Sequence, residues 1–435
     1  MSARSIALRL LVDMERKGQY SNLALDHALQ NEPLSPKDKA LLTTLFYGVI
    51  EKQITLDYYI RALSSRPIET LDTEVLGLVR LGLYQLIFLD RIPAHAAINE
   101  SVALAGRKRA GFVNAILREY TRRGADIPLP DKETHPIAYL SVNYSYPESL
   151  CELFEDLYSF EECESLLGAF NRPQPLTLRV NTLKTTREDL LARLHAKGVS
   201  AEICPHAPHG IRCEGGAVRD LPGFDEGHFF VQDEASQLCV ETLDAREGHT
   251  VIDTCACPGS KSFGIAMSMN NKGVLHAFDL HKNKLSLVET GARRLGIDIL
   301  RTAARDGRIF VPELEESADR ILCDVPCSGL GIVAKKPEIR YKNLDDIKNL
   351  PDIQLAILEN ASPYLHPNGV LVYSTCTLVR EENENNVARF LTRHPEFTLS
   401  PFAFGDLAAG DGMLTLRPDI TGTDGFFIAK LVRKQ

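Results

Sequence analysis

No cysteine pair in this 435-residue chain has C-x-x-C spacing, although ten cysteines are present, at positions 151, 163, 204, 213, 239, 255, 257, 323, 327 and 376. Cys255 and Cys257 stand one residue apart with no second pair of ligands to match them, so a zinc site is not expected, nor any other metal. No apolar run approaches the roughly 20 residues needed to span a bilayer. The N-terminal stretch MSARSIALRLLVDMERKG sets Arg9, Asp13, Glu15 and Arg16 among its apolar residues. That is the pattern of an amphipathic helix, not of a signal peptide. A cytoplasmic protein with reduced thiols and no disulfide framework is the expectation, with no membrane partner. There is no G-x-G-x-x-G and no P-loop, which removes support for dinucleotides and nucleoside triphosphates. There is also no excess of positive charge: the net charge is −9, which argues against wholesale non-specific nucleic-acid binding.

What is present is a folded, multidomain chain. Its composition, 44% hydrophobic and 25% charged, is that of a globular protein. Its length exceeds what one ordinary core holds. Charge is distributed unevenly, since residues 1–130 carry 17 Lys+Arg against 14 Asp+Glu. Within that part, GRKRAGFVNAILREYTRRG gathers Arg107, Lys108, Arg109, Arg118, Arg122 and Arg123 around one expected helix. The group suits a solvated helix face, or a patch that contacts phosphates.

Periodicity divides the chain further. Residues 1 to about 124 place apolar residues at three- and four-residue spacing and are expected to be helical throughout. Ser35 followed by Pro36 marks a helix start. DIPLPDKETHP, with three prolines in eleven residues, is the clearest linker. From about 137 to 235 the pattern is mixed: LTLRVNT, HGIRCEGG and GHFFVQ are strand-like, and TREDLLARLHAKG is a short helix. After residue 248, the apolar runs TVIDT, GVLHAFD, IDILRTA, ADRILCDV and GVLVYSTC alternate with helical stretches. Such alternation gives an open, mostly parallel sheet whose ligands lie beyond the carboxyl ends of the strands.

The residues at those ends carry chemistry. The first run closes as VIDTCACPGSKS, a loop of small residues before a helix. It lets the backbone approach a ligand and presents free N–H groups. Asp279 ends the second run, where an acid partners ribose hydroxyls, and Asp306 follows the third, able to accept from an adenine amine. Acids in this order without a phosphate loop point to S-adenosylmethionine. The fourth run ends CDVPCSGLG, with Asp324 and Cys327, and the fifth ends YSTCTLVREENENN, with Cys376. Two thiols are thus expected on adjacent strand ends. A thiolate is the nucleophile that C6 of a pyrimidine needs, and attack there makes C5 able to accept a methyl group. Asp324 is placed to support cytosine N3 and the exocyclic amine as charge builds up. Glu381 and Glu382 are expected to open the next helix, near its N-terminal dipole.

The motifs CACPGSK, DVPCSGLG and STCTL resemble those of the RNA cytosine-C5 methyltransferases. KDKALLTTLFYGVIE, HAAINESVALAG and GFVNAILR look like the NusB-like domain of the bacterial Sun/Fmu (RsmB-type) group. LTLRVNT and FFVQDEASQL resemble its central RNA-binding module. The resemblance implies an α/β fold: a Rossmann-like methyltransferase sheet at 236–435, a small α+β RNA-binding module at 137–235 and an all-α NusB-like domain at 1–126. It implies a 16S rRNA (cytosine(967)-C5)-methyltransferase type of enzyme acting on RNA; nothing in the sequence demands more than a monomer or an obligate protein partner. Cys376 would be the covalent nucleophile and Cys327 the thiol that assists product release. Cys255, Ala256, Cys257, Pro258, Gly259, Ser260, Lys261, Asp279, Asp306 and Asp324 match cofactor-binding positions, with Lys261 and Asp324 also beside the base. Where the family loop is closer to C-A-A-P-G-G-K-T, this chain has Cys257, Ser260 and Ser262 in place of Ala, Gly and Thr. Two alternatives stand beside this reading: transfer RNA as substrate, and a non-catalytic RNA-binding scaffold.

Overall fold

The computed structural model describes residues 2–17, 21–214 and 217–435. Met1 and Gly18 of the expected N-terminal helix stretch, and Gly215 and Gly216 of HGIRCEGG, lie outside the described residues. Contacts divide the chain into two units, one formed by Met1–Arg172 with Val333–Leu344, the other by Pro173–Ile332 with Asp345–Gln435. No helix among the described residues is long and apolar enough to cross a membrane.

The first unit is helical. Thr73–Phe88 is its central helix, with Leu78, Val79, Leu81 and Leu83 fully buried against Ile6, Leu42, Leu45, Phe46 and Leu117. Arg80 on this helix is buried and held bidentately by Asp57 at 2.7 and 2.8 Å. Ser35 caps the helix Pro36–Glu51 by accepting the Asp38 amide, as the Ser-Pro pair predicts. The long pattern after Ser35 is two helices, because Lys52 leaves helical geometry at φ −104° and ψ 13° before Gln53–Leu63. The segment Ala94–Arg123 is likewise broken at Gly106, whose φ of 65° and ψ of 171° suit a residue without Cβ. In the basic stretch that follows, Arg109 pairs with Glu74 at 2.7 Å, Arg118 donates to Asn114, and Arg122 pairs with Glu119.

Two features of this unit depart from the periodicity. Residues just after the proline-rich linker, expected to be mixed, form the helices Pro136–Tyr144, Glu148–Leu157 and Phe160–Phe170. Leu150, Cys151, Phe154, Cys163, Leu166 and Leu167 make their buried face at helical spacing. The other is Val333–Leu344, which follows the Cys327 loop in the chain yet belongs to this unit. There Arg340, 1% exposed, lies over the Tyr146 ring at 4.2 Å and donates to the Glu51 and Ser145 carbonyls at 2.8 and 3.1 Å.

The second unit opens with a four-stranded antiparallel sheet of Leu176–Val180, Ala201–Ile203, Gly210–Cys213 and Phe229–Val231. The helix Arg187–Ala196 packs on it through Leu190 and Leu194. The larger sheet has eight strands: β1 (Thr250–Asp253), β2 (Val274–Asp279), β3 (Leu300–Ala304), β4 (Ala318–Asp324), β5 (Leu365–Thr375), β6 (Phe397–Leu399), β7 (Met413–Leu416) and β8 (Phe426–Arg433). The order is β6-β8-β5-β4-β1-β2-β3, with β7 paired to β8. β3, β2, β1, β4 and β5 run parallel, and β8 joins β5 antiparallel. The chain winds outward in one direction from β1 through β2 to β3 and in the other from β1 through β4 to β5. The crevice of such a sheet therefore opens at the ends of β1 and β4. Register places Asp253 opposite Leu322 and Asp324 opposite Ser374, which brings the loops after β1, β4 and β5 to that one crevice.

Candidate active site

The loops after β4 and β5 set two thiols face to face. Cys327 Sγ and Cys376 Sγ are 3.2 Å apart. The loops are locked by backbone contacts: the Gly331 amide donates to the Cys376 carbonyl at 2.9 Å, and the Gly425 amide to the Gly331 carbonyl at 2.8 Å. Ser328 Oγ donates to Thr377 Oγ1 at 2.7 Å. A Cβ on Gly331 would lie 1.9 Å from the Gly425 carbonyl oxygen, so only glycine permits this approach. Gly331→Ala is therefore expected to lower the stability by the ~1–3 kcal/mol of an overpacked site and to abolish methyl transfer. Thermal denaturation beside an activity assay checks it, and wild-type values in both would remove the lock from the account.

The thiols are electrostatically unlike. Cys376 is lowered from its ordinary pKa because Cys327 donates to its thiolate, with Lys261 assisting against burial, Asp324 and Asp424. Cys327 is raised well above its ordinary value, first by that same hydrogen bond, then by burial and by the charges of Cys376 and Glu382. Cys376 is thus the thiol poised to ionise. The other eight cysteines behave as packing: burial pushes Cys239 and Cys323 up to about 12, and Cys257 to about 12 with help from Asp279.

Lys261 and Asp324 complete the reacting edge. Lys261 Nζ donates to Asp324 Oδ2 at 2.7 Å, and Ser374 Oγ donates to Oδ1 at 2.8 Å. Burial opposes the lysine's charge, yet Asp324, Cys239 and Cys376 together hold its pKa above the ordinary lysine value. Its ammonium also lies 5.1 Å from the Phe426 ring centre, an apolar wall that strengthens these charges.

The loop after β1 forms the neighbouring cradle. Asp279 accepts the Cys257 amide on Oδ2 at 3.1 Å and the His281 amide on Oδ1 at 2.9 Å, and each oxygen keeps a further lone pair. The Ala256 amide donates to the Phe278 carbonyl at 2.7 Å, and Cys255 and Pro258 complete the turn. The positive φ of the loop, 114°, falls at Gly259, where a Cβ would meet the Phe263 ring at 2.6 Å. Ser260 is already the first residue of the helix Ser260–Ser268 and needs no glycine. Ser262 keeps the hydroxyl of the threonine it replaces, donating to Asp253 Oδ2 at 2.6 Å. Asp306 is engaged bidentately by Arg308, which holds its carboxyl down at about 2, so an adenine amine would share it with that guanidinium. The donor set is carboxylates and backbone amides. Two of the cations beside it are committed, Lys261 to Asp324 and Arg308 to Asp306. This chemistry fits ribose hydroxyls and a cationic sulfonium, and not a polyphosphate.

Several residues here carried no motif. Asp253 is fully buried and pushed up to about 7 by burial, against the Ser262 hydrogen bond. Ser374 shows only as a polar residue near a strand end. Glu382 does not open a helix, which begins at Glu384. It is buried in the preceding turn, where Oε2 accepts the Ser328 amide, and its partners outweigh a dipole interaction in water.

Comparisons with known proteins agree along the whole chain. A family described as 16S rRNA methyltransferase RsmB/F matches residues 240–432, the NusB family residues 1–122, and the ferredoxin-like domain of RsmF/B-like methyltransferases residues 146–218. A Bacillus subtilis (strain 168) protein named "Probable ribosomal RNA small subunit methyltransferase B" is 38% identical, over 100% of this chain and 99% of its own length. The ribosomal RNA small subunit methyltransferase B of Cronobacter sakazakii is 33% identical, over 100% and 99%. The crystal structure of PH0851 superposes with a TM-score of 0.83 at 27% identity, covering 100% of this chain and 99% of that one. The architecture is accordingly α/β, with a Rossmann-like sheet, a ferredoxin-like module and an all-α NusB domain.

Proposed function

Because the chain belongs to the RsmB/F family of 16S rRNA methyltransferases, we propose that it methylates C5 of a cytosine in 16S ribosomal RNA, cytosine 967 in the family's naming, through a covalent bond from Cys376 to C6. The observation that carries this reading is the pair of thiols 3.2 Å apart, unlike in acidity, beside the Lys261–Asp324 pair. Cys376 attacks C6 as thiolate, forming an S–C bond while the C5–C6 π electrons shift towards C4 and charge collects on N3, which makes C5 nucleophilic. Asp324 with Lys261 stabilises charge and holds a proton near N3 and the exocyclic amine. The loop from Cys255 to Lys261, with Asp279 and Asp306, would hold S-adenosylmethionine, which would supply an electrophilic methyl group to C5 and leave as S-adenosylhomocysteine. The C5 proton then passes to the Cys327 sulfur as Cys327 gives its own proton to the departing Cys376 sulfur, which breaks the S–C6 bond and restores the C5–C6 double bond. The three-part division 1–126, 137–235 and 236–435 serves RNA binding twice and catalysis once, in the cytoplasm.

Bisulfite sequencing of 16S ribosomal RNA from cells with and without the protein tests the substrate: one cytosine should lose protection in its absence. Loss at a transfer RNA site instead would move the substrate, and no loss anywhere would leave a scaffold. The basic helix has its own test. Reversing Arg118 and Arg122 to Glu is expected to weaken RNA binding at least about tenfold at low salt, with S-adenosylmethionine affinity unchanged. Equal binding by electrophoretic shift would make the patch an ordinary solvated face.

A further inference from the structure

Glu382 is a buried carboxylate that the reaction above does not employ. It is 1% exposed. Its Oε2 accepts the Ser328 amide at 2.9 Å and the Gln354 side-chain amide at 2.7 Å, while Oε1 has no hydrogen-bond partner. Gln354 also donates to the Pro326 carbonyl at 3.0 Å. The carboxylate is thereby fixed to the backbone on both sides of Cys327. Two donors from the same protein environment compensate its burial.

We infer that Glu382 is a positioning residue that gives the two thiols their different roles: its charge beside Cys327, opposed by that of Lys261 beside Cys376, keeps the proton on Cys327 and leaves the thiolate to Cys376. The inference rests on the reading that Cys376 is the nucleophile. Cys376 itself faces two carboxylates, Asp324 and Asp424, against the single ammonium of Lys261. On charge alone those neighbours do not favour a thiolate, which rests on the hydrogen bond from Cys327, so the proton has to be held on Cys327, where burial and the charge of Glu382 oppose ionisation. Cys327 faces Cys376, Glu382 and the Tyr373 hydroxyl, which donates to the Glu382 carbonyl at 2.5 Å. Without this bias, two thiols 3.2 Å apart would share one ionisation between them, and part of the protein would hold its thiolate on the wrong sulfur.

The test uses the full chain without RNA or cofactor. Iodoacetamide alkylation of Cys327 is followed against pH by peptide mass spectrometry in Cys376→Ser protein, with and without Glu382→Gln. The midpoint for Cys327 is expected to fall by about one pH unit on losing the charge. In protein that retains Cys376, Glu382→Gln should let Cys327 compete with it for the reagent. Thr377→Val removes the hydroxyl bond to Ser328 and leaves the charge, so its midpoint should stay in place. Glu382→Asp, which withdraws the charge by one methylene, should give a smaller fall and serves if the Gln variant does not fold. An unchanged midpoint in the Glu382 variants, or an equal fall in Thr377→Val, overturns the inference. A shifted midpoint with no adduct trapped from RNA would instead remove the proposed function alone.

Discussion

Cys327→Ala protein incubated with unmodified target RNA and S-adenosylmethionine is expected to accumulate an RNA–protein adduct that survives denaturing electrophoresis, whereas Cys376→Ala forms neither adduct nor product. Attack at C6 needs only the Cys376 thiolate and an environment that receives charge on the base. Both survive the Cys327 change, and the pocket gains the space of one sulfur. Departure of the sulfur needs the C5 proton removed, and that is the step Cys327 assists. Turnover should drop by about 10²–10⁴-fold, the usual range for a lost proton-transfer group. The alanine also removes the S–H donor that lowers Cys376, so adduct formation should need a higher pH than the wild-type reaction. A Cys327→Ala protein that traps nothing, beside an active Cys376→Ala, would reverse the two roles.

Asp324→Asn should lose about 100–1000-fold in kcat, the range for one preorganised group facing developing charge. RNA affinity should barely change. The carboxylate has two partners, Lys261 Nζ at 2.7 Å and Ser374 Oγ at 2.8 Å, and asparagine can accept from one of them on its single oxygen. Lys261 would be left without its counter-ion. With the two side chains 12% and 25% exposed, the loss of stability should lie between the ~1 kcal/mol of an exposed pair and the ~3–5 kcal/mol of a fully buried one. The sign of the pH effect separates this from general damage. Asp324 opposes ionisation of Cys376 and Lys261 favours it, so removing the carboxylate lets the thiolate become the lysine's partner. The pH at which Cys376 alkylates should fall while methyl transfer slows. A slower enzyme with an unmoved alkylation profile would place Asp324 outside the charge balance of the thiols.

The crevice was legible because its parts are written locally. A buried parallel strand is a short apolar run, and the residues that end it stand out by type: Asp279, Asp324, and cysteines where a run gives way to polar residues. The adjacency of Cys327 and Cys376 follows from strand order alone. What was not legible depends on partners distant in the chain. Short amphipathic segments such as the helices from Pro136 to Phe170, set beside strand-like runs, carry no local sign of which core they join. Glu382 looked like a first-turn acid, since nothing in EENENN announces that Ser328 and Gln354, 54 and 28 residues away, would bury it. Gly106 was one glycine inside a helical pattern, and its broken helix shows only in the backbone angles.

Val333–Leu344 bears on modularity. Because this stretch is built into the helical unit, the polypeptide passes from one unit to the other three times: after Arg172, after Ile332 and after Leu344. A nick in the proline-rich linker therefore cannot release a catalytic fragment. A gene truncated to begin at residue 173 would encode a protein whose Arg340 has lost Tyr146 and the Glu51 carbonyl and whose Tyr341 has lost the Ile50 carbonyl. Such a fragment would carry an apolar strap with a stranded guanidinium, directly after the Gly329–Gly331 turn that fixes Cys327. Helical part and methyltransferase part are in that sense one inheritable piece, and a functional half-length enzyme would need this strap rewritten.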